Sequence, residues 1–389
     1  MILPRLRDDV QLSAHAEGDE HFLVMHDVFG FADGPIMLHA DMIEVLSACD
    51  GVTTTEELAE AAGVDPDGPE IRRVELFVRQ IEEMGFLEGE SADRLAESAR
   101  IEWAARPTRP MACADATYPS EPKAFEEFCR DELGIVQRVG NAPYQAGNED
   151  APAVMALIPH IDFRVAPRVY GEAFNAIASS DADLVVMIGT SHYWSDHPVI
   201  VGSKPFETPL GILPVLPHDL GNEQADLAHK PEHSLELHAV ALRYLWPDRD
   251  LAILPVLVTS DIFSEGALET WSDRIRSAVA SSGRNPIWLI SGDLAHVGPK
   301  FGDPLSSKDL LSEASKADAH LIEHLVAGDL GAYRRSIESL DNPYRVCGHA
   351  PTVLALTCKP PTGGRQLRYQ VWDDVETESA VTFASVVWQ

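Results

Sequence analysis

The chain has 389 residues, of which 45% are hydrophobic and 24% are charged, an ordinary balance for a globular protein. At this length more than one hydrophobic core is expected, so the sequence predicts one large and one small domain. The formal net charge of −32, from 62 acidic and 30 basic side chains, disfavours a nucleic-acid partner because it repels phosphate.

The amino terminus and the cysteines predict the cellular compartment of the protein. The first residues lack the apolar core of a secretory signal, and no stretch approaches the roughly 18 uninterrupted apolar residues of a membrane span. Five cysteines are scattered without a C-x-x-C pair, which predicts free thiols and no disulfide framework. We therefore expect a cytoplasmic protein with no membrane partner.

The first 95 residues have the pattern of a small separate domain. Alternating segments such as "HFLVMHDVFGF" and "PIMLHA" predict a β-ribbon, and "ADMIEVLSACDG" predicts a helix that ends at Gly51. In "TTTEELAEAAG", Thr53 or Thr54 can cap a second helix. The segment "EIRRVELFVRQIEEMGFLEG" predicts a third helix and a short closing strand. Together they predict a winged-helix-like α+β domain over residues 1–95.

Two stretches of this domain, "LSACDGVTTTEELAEAAG" and "FVRQIEEMGFLE", resemble the PqqD-like family of small peptide-binding modules. The resemblance covers roughly residues 20–90 and implies recognition of a peptide, such as a leader peptide in a modification pathway. The alternative is a generic winged helix that binds DNA or is purely structural. Of those two roles DNA binding is the weaker, because the helices carry few basic residues.

The remainder of the chain predicts a linker followed by an α/β domain. Residues 96–110 form the predicted linker, since a helical pattern gives way there to a segment bearing proline and arginine. From 111 to 389, strand-like runs alternate with helical stretches; the runs are "AVMALI" from 153, "LVVMIG" from 184, "LAILPVLV" from 251 and "PIWLIS" from 286. Continuous apolar runs of this kind predict a largely parallel central sheet flanked by helices.

Polar side chains gather where these strands end and where one helix begins. Each alone has an ordinary structural role, because single histidines usually make hydrogen bonds and an acid often caps a helix. Ligands of parallel sheets bind outside the carboxyl ends of the strands, so the convergence indicates a site. The residues are His160 and Asp162, His192, Asp293 and His296 after strands, and Glu232, His233, Glu236 and His238 at the helix.

Cys347 lies in "YRVCGHAPTVLAL", where a polar loop meets an apolar helix. A thiol at a helix amino terminus has its thiolate stabilised by the helix dipole, which suits a metal ligand or a reactive nucleophile. A small buried cysteine is the alternative, and it is the role we expect for Cys49 and Cys358.

In order along the chain, the motifs "IPHIDFR", "IGTSH", "PEHSLELH", "ISGDLAHVG" and "VCGHAPTVLAL" resemble the Memo family, which shares its fold with the extradiol (class III) non-haem iron dioxygenases. The resemblance runs from about 107 to 389. It implies that the metal ligands are His160, His192 and Cys347. It also implies radical-SAM and AMMECR1-like partner proteins, which often accompany the family in gene clusters.

The resemblance further implies roles for the other polar residues. His296 would donate and accept protons, oriented by Asp293, and His233 would be a further acid or base. Asp162, Glu232 and His238 would contact the substrate or support the ligands.

The leading hypothesis is a Memo-type redox enzyme that uses iron, an oxidoreductase whose substrate is selected or presented by the amino-terminal domain. Two imidazoles and one anionic donor leave coordination positions open, as in non-haem iron enzymes. A thiolate also suits copper or zinc. The alternatives are therefore a copper- or iron-binding redox regulator without turnover and a zinc-dependent hydrolase.

Overall fold

The computed structural model describes residues 1–17, 20–32, 34–138, 152–193, 197–221 and 225–389. These residues form two compact units, Met1–Arg106 and Pro107–Gln389. Within the part of the chain that is described, no helix combines the length and apolar character needed to cross a membrane.

The amino-terminal unit begins with an antiparallel sheet in the order β1 (Val10–Glu17), β2 (Glu20–Asp27) and β3 (Ile36–His39). Four helices follow, α1 (Ile43–Ala48), α2 (Thr55–Ala62), α3 (Pro69–Glu83) and α4 (Glu90–Ala105). One apolar core joins the sheet to α1, α2 and α3, and its buried side chains include Leu3, Met25, Leu46, Val78, Ile81 and Phe86. The predicted ribbon and three helices are thus present.

Local signals explain these helices. Thr54 and Glu57 form the reciprocal capping box at the start of α2, and Gly63 ends that helix in the left-handed conformation at φ 68°. The predicted closing strand is reduced to a single antiparallel bridge between Leu6 and Leu87. Helix α4 continues to Ala105, so residues 96–105 of the predicted linker are helical. The winged-helix classification of the unit stays a prediction.

The carboxy-terminal unit is built from a central sheet, a two-stranded ribbon and helices. Its strands are β4 (Met155–Ile158), β5 (Leu184–Thr190), β6 (Val199–Val201), β7 (Phe206–Thr208), β8 (Gly211–Leu213), β9 (Ala252–Val258), β10 (Pro286–Ser291), β11 (His296–Val297), β12 (Gly364–Asp374) and β13 (Ser379–Trp388). Its helices are α5 (Pro122–Glu127), α6 (Pro167–Ile177), α7 (His233–Leu245), α8 (Ala267–Ser282), α9 (Ser307–Ala327), α10 (Leu330–Glu338) and α11 (His349–Cys358).

The central sheet is mixed, which corrects the prediction of a largely parallel sheet. Its order is β11-β13-β4-β10-β5-β9-β6, with β12 also paired to β13. The four strands predicted from apolar runs form a parallel core, β4-β10-β5-β9. Antiparallel strands flank it on both sides, β13 beside β4 and β6 beside β9. Only a short connection separates β12 from β13, too short for a crossover helix, so that pair must be antiparallel.

Both faces of the parallel core are covered by apolar layers. Along β5, Val185 and Met187 join one core cluster, while Val186 and Ile188 join the other. The first cluster contains side chains of α6 and α7, and the second contains side chains of α8, α9, α10 and α11. Burial on both faces is why the strands carry continuous apolar runs and why only their ends are free to carry polar residues.

Candidate metal centre

The candidate site lies at the carboxyl ends of β4, β10 and β5, which are adjacent in the sheet. The parallel register aligns Ser291, the last residue of β10, with Ile158 on one side and Gly189 on the other. His160, His192 and Asp293 each follow their strand by two residues. Because neighbouring parallel strands end at the same edge, these three side chains meet there.

Three histidine rings form the centre of the site. The ring centroids of His160 and His192 are 4.8 Å apart, those of His192 and His233 are 4.5 Å apart, and those of His160 and His233 are 5.3 Å apart. Each ring offers a nitrogen within 4.8 Å of the corresponding nitrogens of the other two. This spacing is compact enough for the three imidazoles to share one ion.

Cys347 joins the cluster from the loop before α11. Its Sγ lies 3.2 Å from Nε2 of His160. Thr190, at the end of β5, donates its hydroxyl to the Cys347 carbonyl at 2.7 Å, which ties the loop to the sheet. His160, Asp293 and Cys347 form a second group whose potential ligand atoms lie within 4.8 Å of one another. The two groups share His160.

Two glycines allow the Cys347 loop to approach the end of β10. A Cβ on Gly292 would lie 2.4 Å from the Cα of Gly348, and a Cβ on Gly348 would lie 2.9 Å from the carbonyl oxygen of Asp293. The Gly348 amide donates to that same carbonyl at 3.0 Å. A side chain at either position would push the two segments apart. The glycines therefore place Cys347 against the strand ends, a role that the sequence analysis did not identify.

The hydrogen bonds of His160 determine which ring nitrogen is free. Nδ1 lies 3.0 Å from the Ser291 hydroxyl, which itself donates to the Ser234 carbonyl at 2.6 Å. Since the serine hydrogen is engaged there, Nδ1 of His160 must carry the hydrogen and donate to Ser291. Nε2 then keeps its lone pair and faces Cys347. Burial, followed by the neighbouring imidazole charges, lowers the pKa of His160 well below its usual value and favours this neutral form.

Glu232 orients His192 in a similar way. Its carboxylate accepts from Nδ1 of His192 at 2.9 Å and from the His192 amide at 2.8 Å. Burial alone would raise the pKa of Glu232, but the adjacent His192 and its hydrogen bonds outweigh burial and lower the pKa to about 2. Burial would lower the pKa of His192, but Glu232 raises it well above the usual value. Because Nδ1 of His192 is bonded to Glu232, Nε2 is the ring nitrogen that would bind a metal ion after losing its proton.

His233 and Asp293 complete the cluster. Nδ1 of His233 lies 3.4 Å from Glu232, and burial lowers the pKa of His233 to about 4. Asp293 accepts the His160 amide at 3.0 Å and has its other oxygen 3.7 Å from Nε2 of His160. Burial raises the pKa of Asp293 to about 7. Asp293 is therefore a possible ligand as well as a support for the His160 backbone.

His296 is held by the backbone and not by Asp293. Its Nδ1 lies 3.0 Å from the Leu294 carbonyl, which can only accept, so Nδ1 carries the hydrogen and Nε2 is the nitrogen that titrates. Burial lowers the pKa of His296 to about 4. Among the interactions of the described residues, the Asp293 carboxylate bonds to His160. The expectation that Asp293 orients His296 is corrected accordingly, because the partner of the His296 ring is the Leu294 carbonyl.

Two predicted residues lie apart from the cluster. The Asp162 carboxylate forms a bidentate pair with Arg164, at 3.0 and 2.5 Å. His238 is fully buried, with its ring centroid 6.2 Å from those of Tyr170 and Phe174. In the described part of the chain, neither ring nitrogen of His238 has a hydrogen-bond partner. These positions suit an ion pair in the turn before α6 and a core side chain.

Arg109 and Glu236 form a buried clamp behind the site. Arg109 donates to Glu236 at 2.5 Å, to the His229 carbonyl at 2.6 Å and to the Glu232 carbonyl at 2.7 Å. Glu236 also accepts the Tyr118 hydroxyl at 2.5 Å. The clamp fixes the turn that carries Glu232 and His233. Sequence reasoning missed Arg109, for which an arginine inside an apolar, proline-bearing segment was the one available signal.

Comparisons with known proteins relate this chain to one family. A family model described as Memo-like protein matches residues 109–387. A MEMO1 family protein of Aquifex aeolicus is 27% identical over 381 residues, which cover 94% of this chain and 95% of the relative. A MEMO1 family protein of Thermus thermophilus is 28% identical over 334 residues, covering 81% and 93%. A MEMO1 family protein of Methanococcoides burtonii is 26% identical over 247 residues, covering 60% and 85%.

Proposed function

This chain belongs to the Memo-like protein family, and we propose that it is a metal-dependent redox enzyme that binds iron through His160, His192 and Cys347. The observation that carries the proposal is the 3.2 Å approach of Cys347 Sγ to Nε2 of His160, the nitrogen that the Ser291 hydrogen bond leaves free. A thiol and a free imidazole nitrogen this close, with two more histidine rings beside them, have the composition of a metal site.

The donor set fits a redox-active ion with open positions. Two imidazoles and one thiolate would supply three ligands once His192 and Cys347, whose pKa values are raised, have released their protons to the ion. Iron bound by them would bring one-electron chemistry and vacant coordination positions. The side chains of His192 and His233 are 30% and 36% exposed, so the site is reachable from solvent. His233 and Asp293 are the residues that would replace or supplement a ligand.

Proton transfer is the role we propose for His296 and His233. His296 has Nδ1 anchored to the Leu294 carbonyl, so Nε2 is the atom that takes or gives a proton. His233 lies on the exposed side of the cluster, 3.4 Å from Glu232, and is the second candidate. Glu232, fixed by the Arg109 clamp, keeps both neighbouring rings oriented.

Metal analysis of the full chain purified without air tests the proposal. We expect close to one iron per chain in the parent protein, measured by mass spectrometry, and a large loss in His160→Ala, His192→Ala and Cys347→Ala. His296→Ala should retain the metal. His320→Ala, on the exposed face of α9, and Cys358→Ala, in the core, are matched controls.

The metal found also decides between functions. Copper would favour the redox regulator without turnover, for which the soft Cys347 thiolate is the supporting feature, and zinc would favour a hydrolase. Equal metal content in the parent and in all three ligand variants would refute the site.

For the amino-terminal unit we propose recognition of an extended peptide by strand addition. Within the described residues, β1 and β3 are the two edges of the three-stranded sheet, and each carries an exposed apolar side chain, Leu12 and Met37. Such a peptide would bring the substrate to the enzyme. Radical-SAM and AMMECR1-like proteins are the further partners that we propose from the family resemblance.

Peptides encoded beside the gene are the probes for this step. We expect the full chain to bind one of them in a fluorescence titration, and Met37→Glu to weaken binding at least fivefold. Leu76→Glu, on the exposed face of α3, is the control. Binding of duplex DNA at physiological salt, with no peptide bound, would contradict the proposal.

A further inference from the structure

A cavity of about 800 Å³ opens beside the candidate metal centre. Cys347 and His192 form part of its wall, and the remainder comes from the segment after β9 and from α10 and the start of α11. Its volume lies within the range typical of small-molecule sites, roughly 300–1,000 Å³. The cavity therefore reaches two of the three proposed ligands.

The wall next to α11 contains a buried polar group without a good partner. His349 is 6% exposed and lines the cavity, and within the described residues neither of its ring nitrogens makes a hydrogen bond. A carboxylate oxygen of Glu338 lies 3.5 Å from Nε2. Phe263 stacks on the His349 ring at 4.8 Å. A buried imidazole held in place by an aromatic ring but lacking hydrogen bonds is suited to bonding a ligand.

The charges around the cavity are unbalanced. Asp261, Glu338 and Asp341 supply three carboxylates, whereas Arg334 is the one guanidinium in the described lining. Arg334 is already paired with Glu338 through two hydrogen bonds, at 2.7 and 3.2 Å. An incoming anion would meet two uncompensated carboxylates, and an incoming cation would be attracted by them.

We propose that this cavity is the substrate pocket of the metal centre and that it selects a ligand with an apolar body and an amine or other cationic end over a carboxylate. The apolar body would pack against Phe263, Val258 and Ile337, while His349 and the carboxylates would bind the polar end. The role of this ligand as a substrate depends on the proposed metal function. The preference for a cation rests only on the residues of the cavity.

Two probes of matched size and opposite charge test the preference. Phenethylamine and 3-phenylpropionate are titrated into the full chain by calorimetry, both with metal and after its removal by a chelator. We expect the amine to bind at least tenfold more tightly than the acid in the metal-free form, and by a smaller ratio in the metal-loaded form, because a bound cation attracts the carboxylate. Nα-acetyl-lysine N-methylamide is a third probe, and tighter binding of it than of phenethylamine would indicate an amine carried on a peptide, whereas weaker binding would indicate a free amine.

Single substitutions test which carboxylates produce the preference for the amine. Glu338→Gln removes one carboxylate and frees Arg334, so we expect the amine to bind on the order of five- to tenfold less tightly and the acid to bind more tightly. Asp341→Asn should weaken amine binding by a smaller factor; its φ of 55° is one that asparagine tolerates well. Glu323→Gln, exposed on α9, is the control and should leave both affinities unchanged.

The outcomes separate this proposal from the metal function. Acid binding as tight as amine binding in the metal-free protein, or no response of that form to Glu338→Gln, overturns the ligand preference. Amine binding that leaves the absorption spectrum of the metal-loaded protein unchanged overturns the assignment as the substrate pocket. If the protein binds no metal but still prefers the amine, the cavity is a cation site and the proposed redox function fails alone.

Discussion

His160 and His192 belong to one cluster but lie in different surroundings. On the buried side of the centre, His160 is 2% exposed and is held by Ser291 and Asp293. On the open side, the His192 side chain is 30% exposed and borders the cavity. A metal site needs rigid ligands, which define its geometry, and an accessible ligand, which lets the substrate approach the ion. The contrast predicts that substitutions on the buried side disturb folding as well as metal binding, whereas those on the open side disturb mainly binding.

The largest effect is expected where the buried side is most tightly packed. Gly292→Ala places a Cβ 2.4 Å from the Cα of Gly348, so one backbone segment must move. We expect a loss of about 3 kcal/mol or more in the free energy of unfolding, measured with urea. Gly331→Ala is the control, because it lies in α10 and its Cβ would meet only side-chain atoms, the end of Arg335 at 3.2 Å and Oδ1 of Asp329 at 3.5 Å. Equal stability of the two variants would show that the glycine contact is not required.

Asp318 is a buried carboxyl group bonded to residues next to the buried side of the site, and it makes the free energy of unfolding depend on pH. Its carboxylate accepts the hydroxyls of Thr382 at 2.6 Å and Tyr369 at 2.9 Å, and Thr382 in turn pairs with Ala295. Burial raises the pKa of Asp318 to about 6. The folded state therefore holds this proton more tightly than the unfolded state. The resulting stabilisation is complete below the unfolded pKa of about 3.9 and is lost as pH rises to about 6.

Asp318→Asn tests this linkage. We expect the stability of the variant relative to the parent to rise between pH 4 and pH 6, by up to about 3 kcal/mol, and to level off above that. Chemical denaturation at a series of pH values measures the difference. A difference that is flat across this range would mean that Asp318 titrates normally.

Substitutions of Ser291 and Glu232 test how the hydrogen bonds on each side of the site affect metal affinity. Ser291→Ala removes the acceptor that orients His160, and Glu232→Gln weakens the one that orients His192. Each should lower metal affinity by about 10- to 100-fold in a competition with a chelator. Ser291→Ala should keep the amine preference of the cavity, whereas Glu232→Gln changes the charge beside it. An unchanged affinity in both variants would indicate that orientation does not matter here.

The smallest effect is expected at Asp162. Its carboxylate is paired with the exposed Arg164 and lies apart from the histidine rings, so Asp162→Asn should change stability by less than about 0.5 kcal/mol. Metal content should equal that of the parent. A drop in metal content would place Asp162 in the site after all, as the sequence analysis expected.

Much of the site could be anticipated because burial leaves a simple trace in the sequence. A strand covered on both faces must be apolar throughout, so His160, His192 and Asp293 stood out at the strand ends. The order of the strands left no such trace. The all-buried β13 and its polar partner β12 went unpredicted, and they make the sheet mixed.

The sequence by itself determined the kinds of donor atoms, their positions after buried strands and the apolar cores that hold those strands, because these depend on local composition and periodicity. Only the tertiary structure decided which donors meet. Cys347 reaches His160 because two glycines, Gly292 and Gly348, touch across 56 positions. Asp293 accepts the His160 amide, while the His296 ring bonds to the Leu294 carbonyl. Hydrogen bonds and contacts between distant segments depend on distances of a few tenths of an ångström, which no pattern along the chain specifies.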